Sequence, residues 1–286
     1  VGFGSKIPIL MCLAMHASMY DNLAVKKNIE FLKKKIEFLN PQVIEGKAKA
    51  SEPEDVLDYV LKKFGLSSIL KNKKVLMTAG PTVEPIDAVR AITNQSSGKT
   101  GVSLASELMS AGAKVTLVYG PGVEKPPRGA KIINVSSSKE MLNAVKNELK
   151  KEFDIVIMAA AIADYIPLNS SKNKIKSTKN DLQICLKKAP KIIDQIKKYQ
   201  KNVLLVGFKA EVNVTRNQLI KSAQKKLIES SSDMIVANDI GSTRYKKNPQ
   251  NNQVIVVDSK NIHVSSWVKK QKIARFIRKQ IEEKIK

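Results

Sequence analysis

From about residue 73 onward, short apolar runs alternate with longer amphipathic stretches. KKVLMTAG, AKVTLVYG and FDIVIMAAA have the length and the apolar continuity of buried strands, and KNVLLVGF and SDMIVAND repeat the pattern later. Between the first three runs, SSGKTGVSLASELMSAG and SSKEMLNAVKNELKKE have the spacing of amphipathic helices. Strands that alternate with helices predict an α/β fold: a Rossmann-like, doubly wound, mainly parallel sheet with helices on both faces.

Two later regions depart from this alternation. NNQVIVVDSKNIHV predicts a hairpin that turns at Ser259-Lys260, and WVKKQKIARFIRKQIEEKIK predicts a closing C-terminal helix. Segment 161–190 is polar, lysine-rich and too long for a plain connection, so we expect a functional flap or an inserted hairpin there.

Residues 1–66 form a different unit. A helix at about 24–35 leads into the loop NPQVIEGKAKASEPED and then into a short helix. A linker at 67–73 joins this unit to a domain at 74–286. The chain starts at Val1 rather than at methionine, which suggests a processed product or a fragment of a longer protein.

Composition narrows the function classes. The two cysteines, Cys12 and Cys185, lie far apart without ligand spacing, so we expect no metal site, no disulfide framework and a cytoplasmic location. No apolar run has the length of a membrane-spanning helix. The formal charge is +24, yet only six basic residues are arginine and aromatics make up 5%. Scattered lysines favour a lysine-rich proteome over nucleic-acid binding, although a positive field would help gather anionic substrates.

AITNQSSGKTG, at residues 91–101, superficially resembles a phosphate-binding P-loop. The motif fails because Thr93 stands where the first glycine belongs and because the preceding strand ends well upstream. A dinucleotide-binding G-x-G-x-x-G is absent as well, since TAGPTVEP has one glycine. The helix start at Ser96, Ser97 and Gly98 still suits an anion; an ordinary serine cap beside a packing glycine is the alternative.

The whole stretch AGPTVEPIDAVRAITNQSSGKTG resembles the signature of phosphopantothenate–cysteine ligases, the second half of the bifunctional coenzyme A biosynthesis protein of bacteria and archaea. Three further blocks agree in order: MAAAIADY followed by KIK, then VGFKAE, then DMIVAND. The resemblance covers residues 72 to 286 and implies that CTP activates 4′-phosphopantothenate to an acyl-cytidylate. Cysteine then displaces CMP to form phosphopantothenoylcysteine.

The resemblance also implies roles for individual residues. Asn94 matches the asparagine that holds the acyl intermediate, and Arg90 could bind a phosphate or carboxylate, or else pair with Asp87 or Glu84. Lys174 matches a flap lysine that reaches the activated carbonyl, in known cases across a dimer interface. Phosphopantothenate is expected near Gly80, Ser97 and Gly98.

The expected nucleotide site follows the carboxyl end of a strand, where doubly wound sheets bind ligands. Its residues are Ala159, Ala160, Ala161, Asp164, Lys174, Pro190, Ile192, Ile193, Phe208 and Lys226. Two departures weaken the match: Lys191 stands where the family has aspartate, and Ser230 replaces a family lysine, so that Lys225 could supply the missing contact. Magnesium is expected as a counterion of the phosphates without a dedicated ligand cluster.

LAMHASMYDN, at residues 13–22, resembles a motif near the end of the flavin-dependent phosphopantothenoylcysteine decarboxylase. His16 would then contact substrate; a partly buried histidine beside a helix is the alternative. The flavin-binding glycine and serine loops are missing, and EGKAKASEPED lacks the proton-donating cysteine of bacterial members. We therefore expect an FMN-dependent bifunctional parent, whereas this chain alone neither binds FMN nor decarboxylates.

Expected partners are the small substrates 4′-phosphopantothenate, cysteine and CTP, with no nucleic acid and no membrane. The flap lysine implies a homodimer that forms through the ligase domain. A protein that also carried the decarboxylase domain would form a higher oligomer. Two other functions stay open: an NAD(P)-dependent oxidoreductase and a charge-driven nucleic-acid-binding module. The choice of CTP over ATP depends on family type alone.

Overall fold

The computed structural model of the chain describes residues 8–39, 42–44, 47–49, 51, 53, 55–56, 59–60, 69–176 and 181–286. It divides into two compact units, Val1–Ser68 and Ile69–Lys286. Within the described residues, no helix combines the length and the apolar character that crossing a bilayer requires.

The first unit contains short elements. Its strands are β1 (Leu10–Cys12), β2 (Met15–His16), β3 (Glu37–Leu39), β4 (Gln42–Ile44) and β5 (Lys47–Lys49), and its helices are α1 (Ala17–Tyr20) and α2 (Leu23–Leu32). Strand β1 pairs in parallel with β3, whereas β2, β5 and β4 form an antiparallel sheet. The predicted helix is confirmed as α2, which begins after an Asn22 cap and ends three residues early. The short helix expected before the linker lies largely outside the described residues.

The second unit is built on an eight-stranded sheet. Its strands are β6 (Lys74–Ala79), β9 (Lys114–Tyr119), β10 (Lys131–Asn134), β11 (Ile155–Met158), β14 (Leu204–Glu211), β15 (Met234–Asp239), β17 (Ile255–Asp258) and β18 (Ile262–Val264). The spatial order is β10-β9-β6-β11-β14-β15-β17-β18. The first six strands are parallel and β17 and β18 are antiparallel, so the predicted Rossmann-like, mainly parallel sheet is confirmed.

Helices cover both faces of this sheet. They are α3 (Lys99–Ser110), α4 (Ser138–Glu148), α5 (Ile193–Tyr199), α6 (Arg216–Glu229), α7 (Thr243–Lys247) and α8 (Lys270–Ile285). Alternate residues of each strand point to opposite faces, so Val75 and Met77 pack with α3 and α8, whereas Leu76 packs with α4 and α5. Helix α6 packs on the last strands through Leu219 and Ala223.

Three small hairpins or strand pairs decorate the sheet. They are β7 (Val83–Pro85) with β8 (Ala91–Thr93), β12 (Tyr165–Pro167) with β13 (Leu186–Lys188), and β16 (Asn251–Asn252) with β19 (Val268–Lys269). The pairing of β12 with β13 confirms an inserted hairpin within 161–190. The hairpin at Ser259-Lys260 is confirmed as β17–β18. The closing helix starts later than its apolar pattern indicates, because Val268–Lys269 pair as a strand.

Candidate functional site

The site lies where the strand order of the sheet reverses direction. Strand β6 is the first strand of the sheet in sequence. The next two strands, β9 and β10, lie on one side of it, and β11 and the strands after it lie on the other side. In doubly wound sheets, ligands bind at the carboxyl ends of the strands at this switch point. A parallel bridge between Pro81 and Ala161, and a 2.9 Å bond from Ala161 N to Gly80 O, join the two loops there.

A cavity of about 880 Å³ opens at this switch point. Most of the residues expected from the sequence line it: Asn94, Ser97, Gly98, Ala159, Ala160, Ala161, Asp164, Pro190, Ile192, Ile193, Phe208 and Lys226. Four do not: Arg90, Lys174, Gly80 and His16. Gly80 has a φ of 79°, and a Cβ added there would lie 2.7 Å from the carbonyl oxygen of Gly120, so a side chain is excluded. His16 belongs to the first unit, is exposed, and contacts Ser18 Oγ through Nδ1 at 2.9 Å.

Asn94 is fixed at the cavity wall by its own amide. Its Nδ2 donates to the carbonyl oxygens of Ala161 and Ile162, each at 3.1 Å. Both amide hydrogens are thereby used within the loop that follows β11. The polar atom of this side chain that is left for a ligand is therefore Oδ1, a hydrogen-bond acceptor.

The first turn of α3 faces the same cavity. Gly98 caps the helix with φ of 80°, and an added Cβ would lie 2.8 Å from the Tyr119 hydroxyl oxygen. Ser96 and Ser97 accept from the N–H groups of Gly98 and Lys99 at 3.4 and 3.3 Å. The remaining N–H groups of a first helical turn have no acceptor within the helix, so this end can bind an anion.

Charges around the cavity are predominantly positive. Six lysines line it, against the three carboxylates Asp164, Glu211 and Glu229. Lys191 forms an ion pair with Asp164, so the lysine that replaces the family aspartate neutralises another predicted nucleotide contact. Lys226 lies 3.3 Å from Asp194 and is largely buried.

Ser230 has a structural role rather than a place in the cavity. It is 3% exposed, and its hydroxyl donates to Lys226 O at 2.6 Å. Its hydroxyl also lies 2.7 Å from that of Ser232. Lys225, one turn before Glu229, does line the cavity and lies 3.8 Å from that carboxylate.

Arg90 is engaged outside the cavity. Its Nε donates to Asp87 Oδ2 at 3.0 Å, and its Nη2 donates to the carbonyl oxygen of Ile175 at 2.9 Å. The Arg90 guanidinium, and then the backbone N–H groups of Ile175 and Val89, hold the pKa of Asp87 well below its ordinary value. The ion pair with Asp87 considered from the sequence is therefore present. Lys174, next to Ile175, is exposed and makes no side-chain hydrogen bond with the described residues.

Sequence motifs missed several residues of the cavity wall. Lys209 and Glu211 lie 3.2 Å apart and follow Phe208 on β14, and the VGFKAE block could have indicated them. Tyr245 and Lys270 come from the region after β15, where no sequence motif predicts a site residue. Among the described residues, no group of three His, Cys, Asp or Glu side chains could hold a metal ion.

The chain is similar to known protein families along nearly its whole length. Residues 70–285 match the DNA/pantothenate metabolism flavoprotein C-terminal domain, and residues 1–65 match the flavoprotein family. A coenzyme A biosynthesis bifunctional protein CoaBC of Thermococcus kodakarensis is 44% identical over 235 residues, which are 82% of this chain and 58% of that protein. One of Borreliella burgdorferi is 34% identical over an alignment of 286 positions, which covers 96% of this chain and 71% of that protein.

Solved structures are similar to about three quarters of the chain. The C-terminal domain of a CoaBC protein is 34% identical with a TM-score of 0.64, covering 77% of this chain and 98% of that one. The DNA/pantothenate metabolism flavoprotein of Streptococcus pneumoniae is 28% identical with a TM-score of 0.65, covering 74% of this chain and 99% of that one. The chain spans 58% of the length of each of the Thermococcus and Methanocaldococcus relatives. On these grounds the chain belongs to the family of coenzyme A biosynthesis bifunctional proteins and contains their DNA/pantothenate metabolism flavoprotein C-terminal domain.

Proposed function

We propose that the second unit is a phosphopantothenate–cysteine ligase that uses CTP. The observation that carries this proposal is the position of Asn94. Its amide is fixed by Ala161 and Ile162 in a cavity that also contains the α3 N-terminus and six lysines. A reaction that joins two anionic substrates and then an amine needs positive charge and a fixed acceptor close together.

In the first step, a carboxylate oxygen of 4′-phosphopantothenate attacks the α-phosphorus of CTP. A phosphorus–oxygen bond forms, the bond to the β-phosphate breaks, and pyrophosphate leaves. The lysines of the cavity offset the charge of the attacking carboxylate and of the leaving group. A magnesium ion held mainly by the phosphates and water would supply further charge neutralisation.

In the second step, the amine of cysteine attacks the acyl carbon, loses a proton and displaces CMP, and an amide forms. Asn94 Oδ1 accepts a hydrogen bond from an N–H group of the reacting substrate and so orients it toward the acyl carbon. An asparagine suits this position because its amide is not a competing nucleophile.

The nucleotide lies along the carboxyl ends of β11 and β14. Small residues at Ala159, Ala160 and Ala161 let the backbone approach the base, and Phe208 lies against the base or ribose. Pro190, Ile192 and Ile193 form the opposing apolar wall, whereas Lys226 contacts phosphate. Asp164 contacts the nucleotide as an ion pair with Lys191.

The flap acts across a homodimer in this proposal. Lys174 lies outside the cavity of its own chain and is exposed, which fits a lysine that enters the site of a second copy. Arg90 then positions the flap through Ile175 O, in place of a direct bond to substrate. A decarboxylase domain, where present, would add a higher oligomer.

The first unit, residues 1–66, is proposed to be the C-terminal part of a phosphopantothenoylcysteine decarboxylase domain, with the linker at 67–73 and the ligase domain at 74–286. In the bifunctional parent this domain binds FMN and decarboxylates the ligase product, with His16 at the substrate. Residues 1–66 do not contain the glycine and serine loops expected to bind flavin in that domain.

Pyrophosphate release tests the ligase proposal. The chain is incubated with Mg²⁺, 4′-phosphopantothenate and either CTP or ATP, with and without cysteine, beside an Asn94→Ala variant. We expect CTP- and phosphopantothenate-dependent release, with amide product only when cysteine is present. No release with either nucleotide would reject the proposal. Protection from thermal unfolding by NAD(P)H would instead favour an oxidoreductase, and salt-sensitive binding of nucleic acid would favour a binding module.

A further inference from the structure

One lysine of the cavity differs from the other five in its surroundings. Five have a carboxylate within 4 Å: Lys99 with Glu124, Lys191 with Asp164, Lys209 with Glu211, Lys225 with Glu229, and Lys226 with Asp194. Lys270 forms no ion pair within the part of the chain that the structure describes. The positive charge of Lys270 is therefore not balanced by a neighbouring carboxylate.

Lys270 is also the most buried of the six, with 7% of its surface exposed. Its Nζ lies 3.4 Å from the Tyr245 hydroxyl oxygen and 5.5 Å from the centroid of that ring. A neutral hydroxyl at this distance and the face of one tyrosine ring compensate an ammonium group less than a carboxylate would. Lysines are almost never fully buried without a charged partner, so this position is suited to an anion supplied by a ligand.

Lys270 is connected to the start of α3. It begins α8, and its backbone N donates to Gln250 O at 3.1 Å. The side chain of Gln250 accepts from Lys99 Nζ at 2.5 Å, and Lys99 is the first residue of α3. Gly98, Lys99 and Lys270 line the same cavity. A buried ammonium group and the N–H groups at the start of a helix are therefore both available to one ligand.

We propose that Lys270 binds a phosphate group of a substrate, together with the first turn of α3. This inference rests on the ligase proposal for the identity of the substrates. A phosphate suits the position because its several oxygens can accept from an ammonium and from backbone N–H groups simultaneously. Both the nucleotide and 4′-phosphopantothenate offer such a group.

Binding of inorganic pyrophosphate and inorganic phosphate to the whole chain tests the assignment without any catalysis. Titration calorimetry compares the wild type with Lys270→Met, and with Lys269→Met as the control because Lys269 is exposed and lies outside the cavity. We expect Lys270→Met to weaken binding of at least one anion about tenfold or more, the loss of one charge-assisted hydrogen bond, while Lys269→Met matches the wild type. Equal affinities in Lys270→Met and the wild type would overturn the assignment.

Thermal unfolding guards against a folding artefact. We expect Lys270→Met without anion to unfold at or above the wild-type temperature, because a buried charge is replaced by an apolar chain of similar length. The rise in unfolding temperature that pyrophosphate gives the wild type should shrink in the variant. If Lys270→Met does not fold, Lys270→Gln takes its place in every measurement.

Steady-state kinetics then distinguish the two phosphate sources. A rise in KM for CTP alone assigns Lys270 to the nucleotide, and a rise for 4′-phosphopantothenate alone assigns it to that substrate. Unchanged values for both would overturn the proposal while leaving the ligase function intact. Conversely, Lys270-dependent pyrophosphate binding in a chain that releases none from CTP would reject the ligase function and leave the anion site standing.

Discussion

The carboxylate of Asp87 accepts a hydrogen bond from the backbone N–H of Ile175 at 3.0 Å. Arg90, which pairs with the same carboxylate, donates to the carbonyl oxygen of Ile175 at 2.9 Å. One ion pair thus binds both backbone groups of a single residue in the flap. Ser171 N adds a 3.0 Å bond to Ile86 O. Hydrogen bonds from the backbone of Ser171 and of Ile175 therefore attach the segment around Lys174 to the loop at residues 86–90.

Replacing Asp87 by asparagine should detach the flap. The neutral amide loses the ion pair with Arg90, and its nitrogen cannot accept from Ile175. We expect faster proteolysis within 161–190 and a fall of about tenfold in kcat. KM for CTP should change little, because Asp87, Arg90 and Ile175 do not line the cavity. Asp194→Asn, which weakens a partner of Lys226, is the matched comparison: it should leave proteolysis of the flap at the wild-type rate. Unaltered proteolysis in Asp87→Asn would contradict the attachment.

The contact should persist into acid. Arg90, and then the N–H of Ile175, keep the pKa of Asp87 well below its ordinary 3.8 in the folded protein. A depressed folded pKa contributes stability that is complete above the unfolded value and is lost as pH falls toward the folded value. The difference in unfolding free energy between the wild type and Asp87→Asn should therefore be constant at neutral and mildly acidic pH. It should shrink below about pH 3.8, measured by denaturant titration at a series of pH values.

Removing the amide of Asn94 should separate the two chemical steps. Asn94→Ala keeps the lysines and the α3 N-terminus, so CTP- and phosphopantothenate-dependent pyrophosphate release should continue for a first turnover. Amide formation should fall by about 100-fold, the order seen when one positioned hydrogen-bonding group is lost. Rapid-quench detection of the acyl-cytidylate checks this. Equal rates of amide formation in variant and wild type would remove Asn94 from the second step.

The parallel core is predicted from the sequence because the order of apolar and polar residues within each central strand and each helix shows which residues are buried. Strand β10 escaped notice because only its two isoleucines are apolar and it lies at the sheet edge. Ile132 packs against one core cluster and Ile133 against the other. A run of four residues is too short for its sequence to show that both faces are covered. Local pattern thus identifies central strands better than edge strands.

Motifs placed most of the cavity wall, yet they assigned Arg90 to substrate. The alternative, pairing with Asp87, is local in sequence, whereas the bond from Arg90 to the carbonyl oxygen of Ile175 spans 85 positions and no motif indicates it. Lys270 was missed for the opposite reason. One lysine in a closing helix rich in lysine has no local signal, and only its burial beside Tyr245 separates it from the others.

Restoring the family lysine at Ser230 should not strengthen nucleotide binding. Ser230 is 3% exposed and bonded to Lys226 O, so a lysine there is buried away from the cavity or disrupts the end of α6. We expect Ser230→Lys to lower the unfolding temperature and to leave KM for CTP unchanged or raised. Lys225→Met, which removes a lysine that lines the cavity, should raise KM for CTP with little effect on stability. A lower KM in Ser230→Lys would show that this position reaches the nucleotide.

Gly98 and Gly129 form a matched pair that separates backbone strain from crowding. Both have positive φ, 80° and 89°, so a substitution by alanine costs each about 1 kcal/mol in backbone strain. A Cβ at Gly129 would meet only the flexible end of Met109 at 3.3 Å, whereas one at Gly98 would lie 2.8 Å from the Tyr119 hydroxyl oxygen. Gly98→Ala should therefore lose more stability than Gly129→Ala in denaturant titrations.

Gly98→Ala should also raise KM for a phosphorylated substrate, because the added methyl group displaces the first turn of α3 that lines the cavity. Gly129→Ala should leave both KM values unchanged. Adding Tyr119→Phe removes the crowding hydroxyl, although it also removes that hydroxyl's 2.7 Å bond to Glu124 O. We expect the double variant to recover part of the KM increase of Gly98→Ala. Equal stability and equal KM values in the two alanine variants would show that contact with Tyr119 does not set the position of the helix start.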